Sequence, residues 1–343
     1  MSNNKTLFSF IVPAFNEEGN IRPFYDAAKT ALAQYNETNV ELEILFIDDG
    51  SKDNSYKVAC SLPAKSDGVK VRAFQFTRNF GKEAALFAGL QNAKGSYICF
   101  IDSDLEQPPA VAFEMLSELR ANKEYDCVAA YQKERKSGPL RNFFSKRFYK
   151  TLENSSGMKV IEDASDFRVF RKRVADALLS LPEYYRFSKG LFAWVGFPTL
   201  AYPYTVAKRH SGSSTWSFRK LFSYAFSGLI SFSTAPLRVA ILIGILSAVA
   251  AVIYLVYNII EAFVLGITTP GYPTLVILLL FFGGMILLGL GIIGEYLGRT
   301  YIEGKRRPIY MMRQTSDECM MREENDDALD TNNASTQHTT QQI

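Results

Sequence analysis

The chain has 343 residues, 48% hydrophobic and 21% charged, with a formal net charge of +3. That balance excludes a disordered or collagen-like chain and offers no global electrostatic case for nucleic acid, so no nucleic-acid partner is expected. A mean hydropathy of −0.03 averages two unlike parts: from Val239 to Gly294 the only charged residue is Glu261, whereas the preceding residues mix charges freely.

In chain order, Leu7–Val12, Leu42–Ile47, Val69–Phe76, Tyr97–Ile101 and Cys127–Ala130 are short apolar runs rich in β-branched or aromatic residues, and they predict strands. Between them Glu18–Tyr35, Asn54–Ser61, Lys82–Asn92 and Val111–Ala121 carry helical spacing. Strand-helix alternation of this kind predicts an α/β fold with a mainly parallel sheet and helices on both faces. In such sheets ligands bind beyond the carboxyl ends of the strands, and polar clusters stand there repeatedly. Pro13-Ala14-Phe15-Asn16-Glu17 follows the first strand and Asp48-Asp49-Gly50-Ser51 the second. Thr77-Arg78-Asn79-Phe80-Gly81-Lys82 follows the third, and Asp102-Ser103-Asp104-Leu105-Glu106 the fourth.

The stretch from 131 to 235 is basic and aromatic, and it is followed by two apolar runs, Pro236–Val264 and Thr274–Leu297, broken at Thr269-Pro270-Gly271-Tyr272-Pro273. Each run is long enough to cross about 30 Å of hydrocarbon at about 1.5 Å per residue. Ser217–Phe232 predicts an interfacial helix, with Arg219 and Lys220 toward anionic headgroups. No Lys or Arg stands between Arg238 and Arg299, which predicts both flanks in the cytoplasm and the turn outside. The run Leu7–Val12 stops at Pro13, with Glu17-Glu18 following, so no signal peptide is expected and the α/β part is expected to stay cytoplasmic. The polar end of the chain predicts disorder after about residue 313. The expected parts are therefore 1–215 a cytoplasmic α/β domain, 216–235 interfacial, 236–298 a transmembrane hairpin, and 299–343 a cytoplasmic tail.

Scarce residues narrow the chemistry. Two histidines, His210 and His338, leave no basis for a His-rich metal centre or a His-based triad. Cys60, Cys99, Cys127 and Cys319 are widely spaced and read as free thiols in a reducing compartment. Asp102 and Asp104, separated by one small residue at a strand end, suit a hard divalent cation, Mg²⁺ or Mn²⁺, that bridges phosphates. Asp48 or Asp49 can accept hydrogen bonds from a nucleobase or ribose, while Ser51 or Asp53 serves turn and capping chemistry. Arg78 and Lys82 are two cations around Gly81, where the backbone can approach an anion. Neither a GxxxxGK loop nor a GxGxxG is present, which removes the P-loop and dinucleotide readings.

Taken together, Val12-Pro13-Ala14-Phe15-Asn16-Glu17, Ile47-Asp48-Asp49-Gly50-Ser51, Arg78-Asn79-Phe80-Gly81-Lys82 and Asp102-Ser103-Asp104 resemble the nucleotide-sugar domain of family 2 glycosyltransferases with the GT-A fold. Asp166-Phe167-Arg168, Trp194-Val195-Gly196-Phe197, Arg209-His210-Ser211-Gly212-Ser213-Ser214, Ser233–Arg238 and Gly294–Arg299 narrow the resemblance to the polyprenyl-phosphate branch. The resemblance spans about residues 7–311 and implies an inverting, metal-dependent transferase that moves a sugar from a nucleotide-diphosphate donor, UDP-sugar favoured, to polyprenyl phosphate, undecaprenyl phosphate favoured. It implies that Pro13, Phe15, Glu17, Asp48, Asp49, Arg78, Lys82, Ser103 and Arg209 contact the nucleotide sugar, and that Asp102 and Asp104 hold the metal. The family commonly has Gln where this chain has Glu106, which then joins the metal set. Arg135, Arg141 and Arg168 match cations for the acceptor phosphate. Asp166 matches a catalytic acid that serves as base or orients the acceptor, and a structural partner of Arg168 is the competing reading. From a different class, the rival is a catalytically silent, membrane-tethered nucleotide-sugar scaffold. A homo-oligomer stays open, as does the sugar.

Overall fold

The structure is a computed structural model that describes residues 5–35, 39–132, 164–207, 230, 234–265 and 271–316. They divide into two compact units: one holds the sheet domain and residues 308–316, the other the two long C-terminal helices as far as Arg307.

In the first unit the elements are β1 (Thr6–Ala14), α1 (Glu18–Gln34), β2 (Val40–Asp48), α2 (Ser55–Cys60), β3 (Lys65–Ser66), β4 (Val69–Phe76), α3 (Lys82–Asn92) and β5 (Tyr97–Phe100). They continue with α4 (Pro109–Ala121), β6 (Cys127–Gln132), β7 (Ala164–Arg171), α5 (Lys172–Leu179), α6 (Ser188–Val195) and β8 (Thr199–Tyr204). The sheet order is β3-β4-β2-β1-β5-β7-β6-β8. β4, β2, β1 and β5 run parallel, and β7 joins antiparallel to both β5 and β6. The fold is thus the expected α/β arrangement, mixed but mostly parallel.

The patterning explains the layers. β1 and β2 are buried on both faces, which is why they read as mostly apolar runs, and their buried polar residues Ser9 and Glu43 hydrogen-bond to each other across the pair. On one face Phe8, Phe10, Phe24, Phe46 and Phe113 pack edge-on under α1 and α4, with neighbouring centroids 4.9–6.4 Å apart. Each such buried ring contributes about 1.5–3 kcal/mol of transfer free energy. On the other face α3 lies so close that a Cβ on Gly89 would collide with Ile11. From β1 the chain steps outward through β2 and β4, then returns to place β5 on the other side of β1. The strand order therefore reverses between β1 and β5, the switch point at which such sheets open a crevice at their carboxyl ends.

The second unit holds α7 (Ala235–Leu265) and α8 (Tyr272–Gly304). Both are long and apolar enough to cross a membrane, and large side chains such as Ile253, Phe263, Leu279 and Leu287 stand exposed on them. After α8 the chain rejoins the first unit as β9 (Met312–Thr315), antiparallel to β4. This corrects the expected tail: Gln314 and Thr315 are strand, because β4 has a free edge that pairs them. The interfacial segment Ser217–Phe232 lies outside the described residues apart from Ile230.

Candidate active site

Four loops meet at the carboxyl ends of β1, β2, β4 and β5. The first two interlock: the N–H of Asn16 donates to Ser51 Oγ at 2.8 Å, and that of Lys52 donates to Asn16 Oδ1 at 2.9 Å. Asn16 takes a positive φ of 57°, a conformation that Asn tolerates better than most residues. Glu17 accepts from Asn20, and its N–H donates to Ser55 Oγ at 2.9 Å. Phe15 is 43% exposed, an open ring beside half-buried Pro13. Asp53 accepts from both the N–H and the hydroxyl of Ser55, a turn contact one residue before Asn54, the N-cap of α2.

Asp48 and Asp49 point inward. Asp48 accepts from the N–H of Ser51 at 3.1 Å and from Gln75 Nε2 at 2.9 Å. Asp49 accepts from the N–H groups of Phe80 and Gly81 at 2.6 and 2.9 Å, which fastens the loop after β4. Burial raises the Asp49 carboxyl to about 6, against the pull of those two N–H donors. Gly50 lets the loops meet: at φ 69° it lies where a Cβ would collide with the backbone of Arg78. Arg78 itself lies over the Phe80 ring at 4.1 Å.

The acidic turn after β5 is clamped from two sides. Asp102 Oδ1 lies 2.6 Å from Lys82 Nζ, and Asp102 Oδ2 accepts from Gln107 Nε2 at 3.2 Å. Gln107 also takes the N–H of Asp102 at 3.0 Å. Ser103 and Asp104 are buried, Leu105 adopts a positive φ of 63°, and Asp104 accepts from the N–H of Glu106 at 3.1 Å. A left-handed Leu stores backbone strain, which fits a turn shaped by its site.

β7 brings the last acid. Asp166 Oδ2 lies 3.9 Å from Lys82 Nζ, while its buried Oδ1 has no hydrogen-bond partner among the described residues. Burial pushes the Asp166 carboxyl up, but Lys82, Lys189 and Arg168 together outweigh it and hold it below the usual carboxylate range. Burial works against the Lys82 ammonium too, yet Asp102 and Asp166 keep it protonated. Arg168 is 5% exposed, with its guanidinium 4.5 Å from the Phe192 ring centroid and its Nε donating to the Ser165 carbonyl. That makes Arg168 a largely internal cation.

Of the acceptor-side and donor-side cations, Arg135, Arg141 and Arg209 lie outside the described residues. Among the described residues no three His, Cys, Asp or Glu are arranged to hold a metal, so Asp102, Asp104 and Glu106 are not a preassembled trio. The oxygen donors nevertheless fit a Mg²⁺ or Mn²⁺ that is held by one or two carboxylates and by substrate phosphates.

Sequence reasoning missed Gln75, Gln107, Glu83, Ser188, Lys189 and Tyr204. The Glu83 carboxylate accepts both the N–H and the hydroxyl of Ser188 at the start of α6. Burial raises the Glu83 pKa, with repulsion from Asp166 adding to it. Tyr204 is buried, and burial raises the pKa of its hydroxyl, with the nearby charges of Asp102 and Glu106 adding to the rise. Only Gln107 had a signal: it stands one residue after the position where the family carries Gln.

A switch-point crevice at the carboxyl rim of an α/β sheet, ringed by a clamped Asp-Ser-Asp turn and a lysine between two acids, is the candidate site. Residues 9–179 match the model of glycosyl transferase family 2, and residues 235–300 match the GtrB C-terminal hairpin. A prophage bactoprenol glucosyl transferase homolog of Escherichia coli is 40% identical over 307 residues, covering 89% of this chain and 98% of its own. The bactoprenol glucosyl transferase of Shigella phage SfV is also 40% identical, covering 89% and 97%. A putative glycosyltransferase of Bacillus subtilis is 36% identical, covering 90% and 92%. The chain belongs to glycosyl transferase family 2 and carries the GtrB-type hairpin.

Proposed function

We propose that the protein transfers a hexosyl group from a nucleotide-diphosphate sugar, UDP-sugar favoured, to a polyprenyl phosphate such as undecaprenyl phosphate, with inversion. The observation that carries this reading is Lys82 held between Asp102 and Asp166 at the rim of a family 2 domain whose relatives are named for bactoprenol. A lipid phosphate monoester has a second pKa of about 6, so near neutral pH its oxygen is already a competent nucleophile. It attacks the anomeric carbon as the bond to the donor diphosphate breaks, and the electron pair leaves with the nucleoside diphosphate.

The protein's work is then alignment and charge balance. Phe15 and Pro13 offer an apolar surface to the nucleoside. Asp102 and Asp104 would hold a Mg²⁺ or Mn²⁺, which when bound would supply positive charge to the leaving diphosphate. Lys82, which lies beside Asp102 and Asp166, would supply a second positive charge to the same diphosphate. Asp166, kept ionised by three cations, is a weak base, which supports a role in orienting Lys82 and Lys189 toward the acceptor. The basic stretch with Arg135 and Arg141 receives the lipid phosphate, and both flanks of the hairpin lie in the cytoplasm. Purified protein supplied with undecaprenyl phosphate and a panel of UDP- and GDP-sugars tests the reading: one lipid-linked monosaccharide is expected, and donor binding with no lipid product would leave the silent-scaffold alternative.

A further inference from the structure

The strand that follows the second apolar helix is built into the donor rim. In β9, Gln314 lies opposite Gln75 of β4 and Thr315 opposite Phe74. The N–H of Thr77 donates to the Met311 carbonyl and that of Ala73 to Ser316 Oγ, both at 3.0 Å. Just before the strand, Tyr310 stacks on Phe76 with centroids 4.7 Å apart, and Phe76 meets Phe80 edge-on at 5.8 Å. Phe80 belongs to the loop that Asp49 fastens.

Side chains carry the contact inward. Gln314 Nε2 donates to Gln75 Oε1 at 2.9 Å, Gln75 Nε2 donates to Asp48 Oδ2 at 2.9 Å, and Asp48 Oδ1 receives the N–H of Ser51. The polarity of this relay is set by chemistry: a carboxylate only accepts, so Gln75 turns its NH₂ to Asp48 and its carbonyl to Gln314, which must donate. We propose that Gln314 is a positioning residue of the nucleotide-sugar site, acting through Gln75 to fix Asp48 and the turn at Ser51. The inference rests on the donor-site reading above. It makes the segment leaving the membrane hairpin a working part of donor binding.

The test uses the full chain in detergent, with calorimetric titration of uridine diphosphate and separate Michaelis constants for donor and lipid. Gln314→Ala removes the donor of the relay; Gln314→Glu sets an acceptor against the Gln75 carbonyl and favours its flip toward Asp48. Loss of one hydrogen bond corresponds to about a two- to tenfold weaker Kd, so Gln314→Ala should fall in that range and Gln314→Glu at or beyond its upper end. Donor KM should rise in parallel while lipid KM stays put, a split that general loosening of the fold would not produce. In a Gln75→Leu background, Gln314→Glu should add nothing. Arg313→Ala, exposed on the same strand, should bind like the wild type. Wild-type affinity in Gln314→Glu, or an undiminished loss in the Gln75→Leu background, overturns the proposal. A wild type that binds no uridine diphosphate overturns the donor-site reading itself, and this one with it, in the first titration.

Discussion

At Asp166 burial and charge oppose each other, and the three cations win. A carboxylate held low takes up a proton poorly, so the acid limb of kcat/KM should belong to the lipid phosphate and lie near its second pKa of about 6. Asp166→Asn should therefore lower kcat yet keep that limb; its disappearance would make Asp166 the base. Asp104→Ala should cost at least about 100-fold in turnover with an unchanged thermal midpoint, and excess EDTA should silence the wild type. Asp49 gives a stability prediction. Its folded pKa of about 6 lies above the unfolded value of about 3.9, so the protonated form favours the fold. Its contribution is full below about pH 4 and is lost as pH rises to about 6. Asp49→Asn should flatten that part of the Tm–pH curve while lowering Tm overall, because an amide cannot accept from both Phe80 and Gly81 as a carboxylate does.

Among the elements, α3 has the most tasks. Its first turn presents Lys82 to Asp102 and Asp166, and the next residue, Glu83, ties the start of α6 through Ser188. α6 in turn carries Lys189, one of the cations around Asp166. Breaking the tie should displace a charge as well as loosen a helix. Glu83→Ala leaves the Ser188 N–H without its partner, at a cost of about 1–3 kcal/mol. Its signature should be a lower Tm together with an Asp166-like loss of kcat, and Glu83→Gln should recover most of both. Normal kcat in a destabilised Glu83→Ala would confine the residue to a structural role. Gly50→Ala should be more disruptive than either, since φ 69° and the Arg78 backbone both reject a side chain.

For the molecule as a whole, the catalytic unit takes chain from both sides of the apolar hairpin: β1 to β8 precede it and β9 follows it. Both flanks should then share one compartment, in agreement with the Lys and Arg distribution. In a cysteine-free background, a cysteine placed at position 343 should resist a membrane-impermeant maleimide in intact cells, whereas one at 269 should react. External labelling at 343 would reverse the topology.

The sequence by itself determined the strand-helix alternation, the apolar hairpin and the loading of one sheet rim with acids, because each is written in local periodicity or at a strand end. Only the tertiary structure decided what those acids face. Asp48 and Asp49 look like free nucleoside ligands in a linear reading, yet each of their oxygens already accepts one bond, from Ser51, Gln75, Phe80 or Gly81, which fixes the direction in which they can meet a ligand. Asp102 looks free for a metal, yet it is held by Lys82 and Gln107. β9 was invisible for the same reason. Met-Arg-Gln-Thr has no strand pattern of its own and becomes a strand only where β4 offers unpaired backbone to a segment more than two hundred residues further along the chain. Periodicity records which way a residue points from its own element; the partner that meets it is chosen by packing between segments remote in sequence.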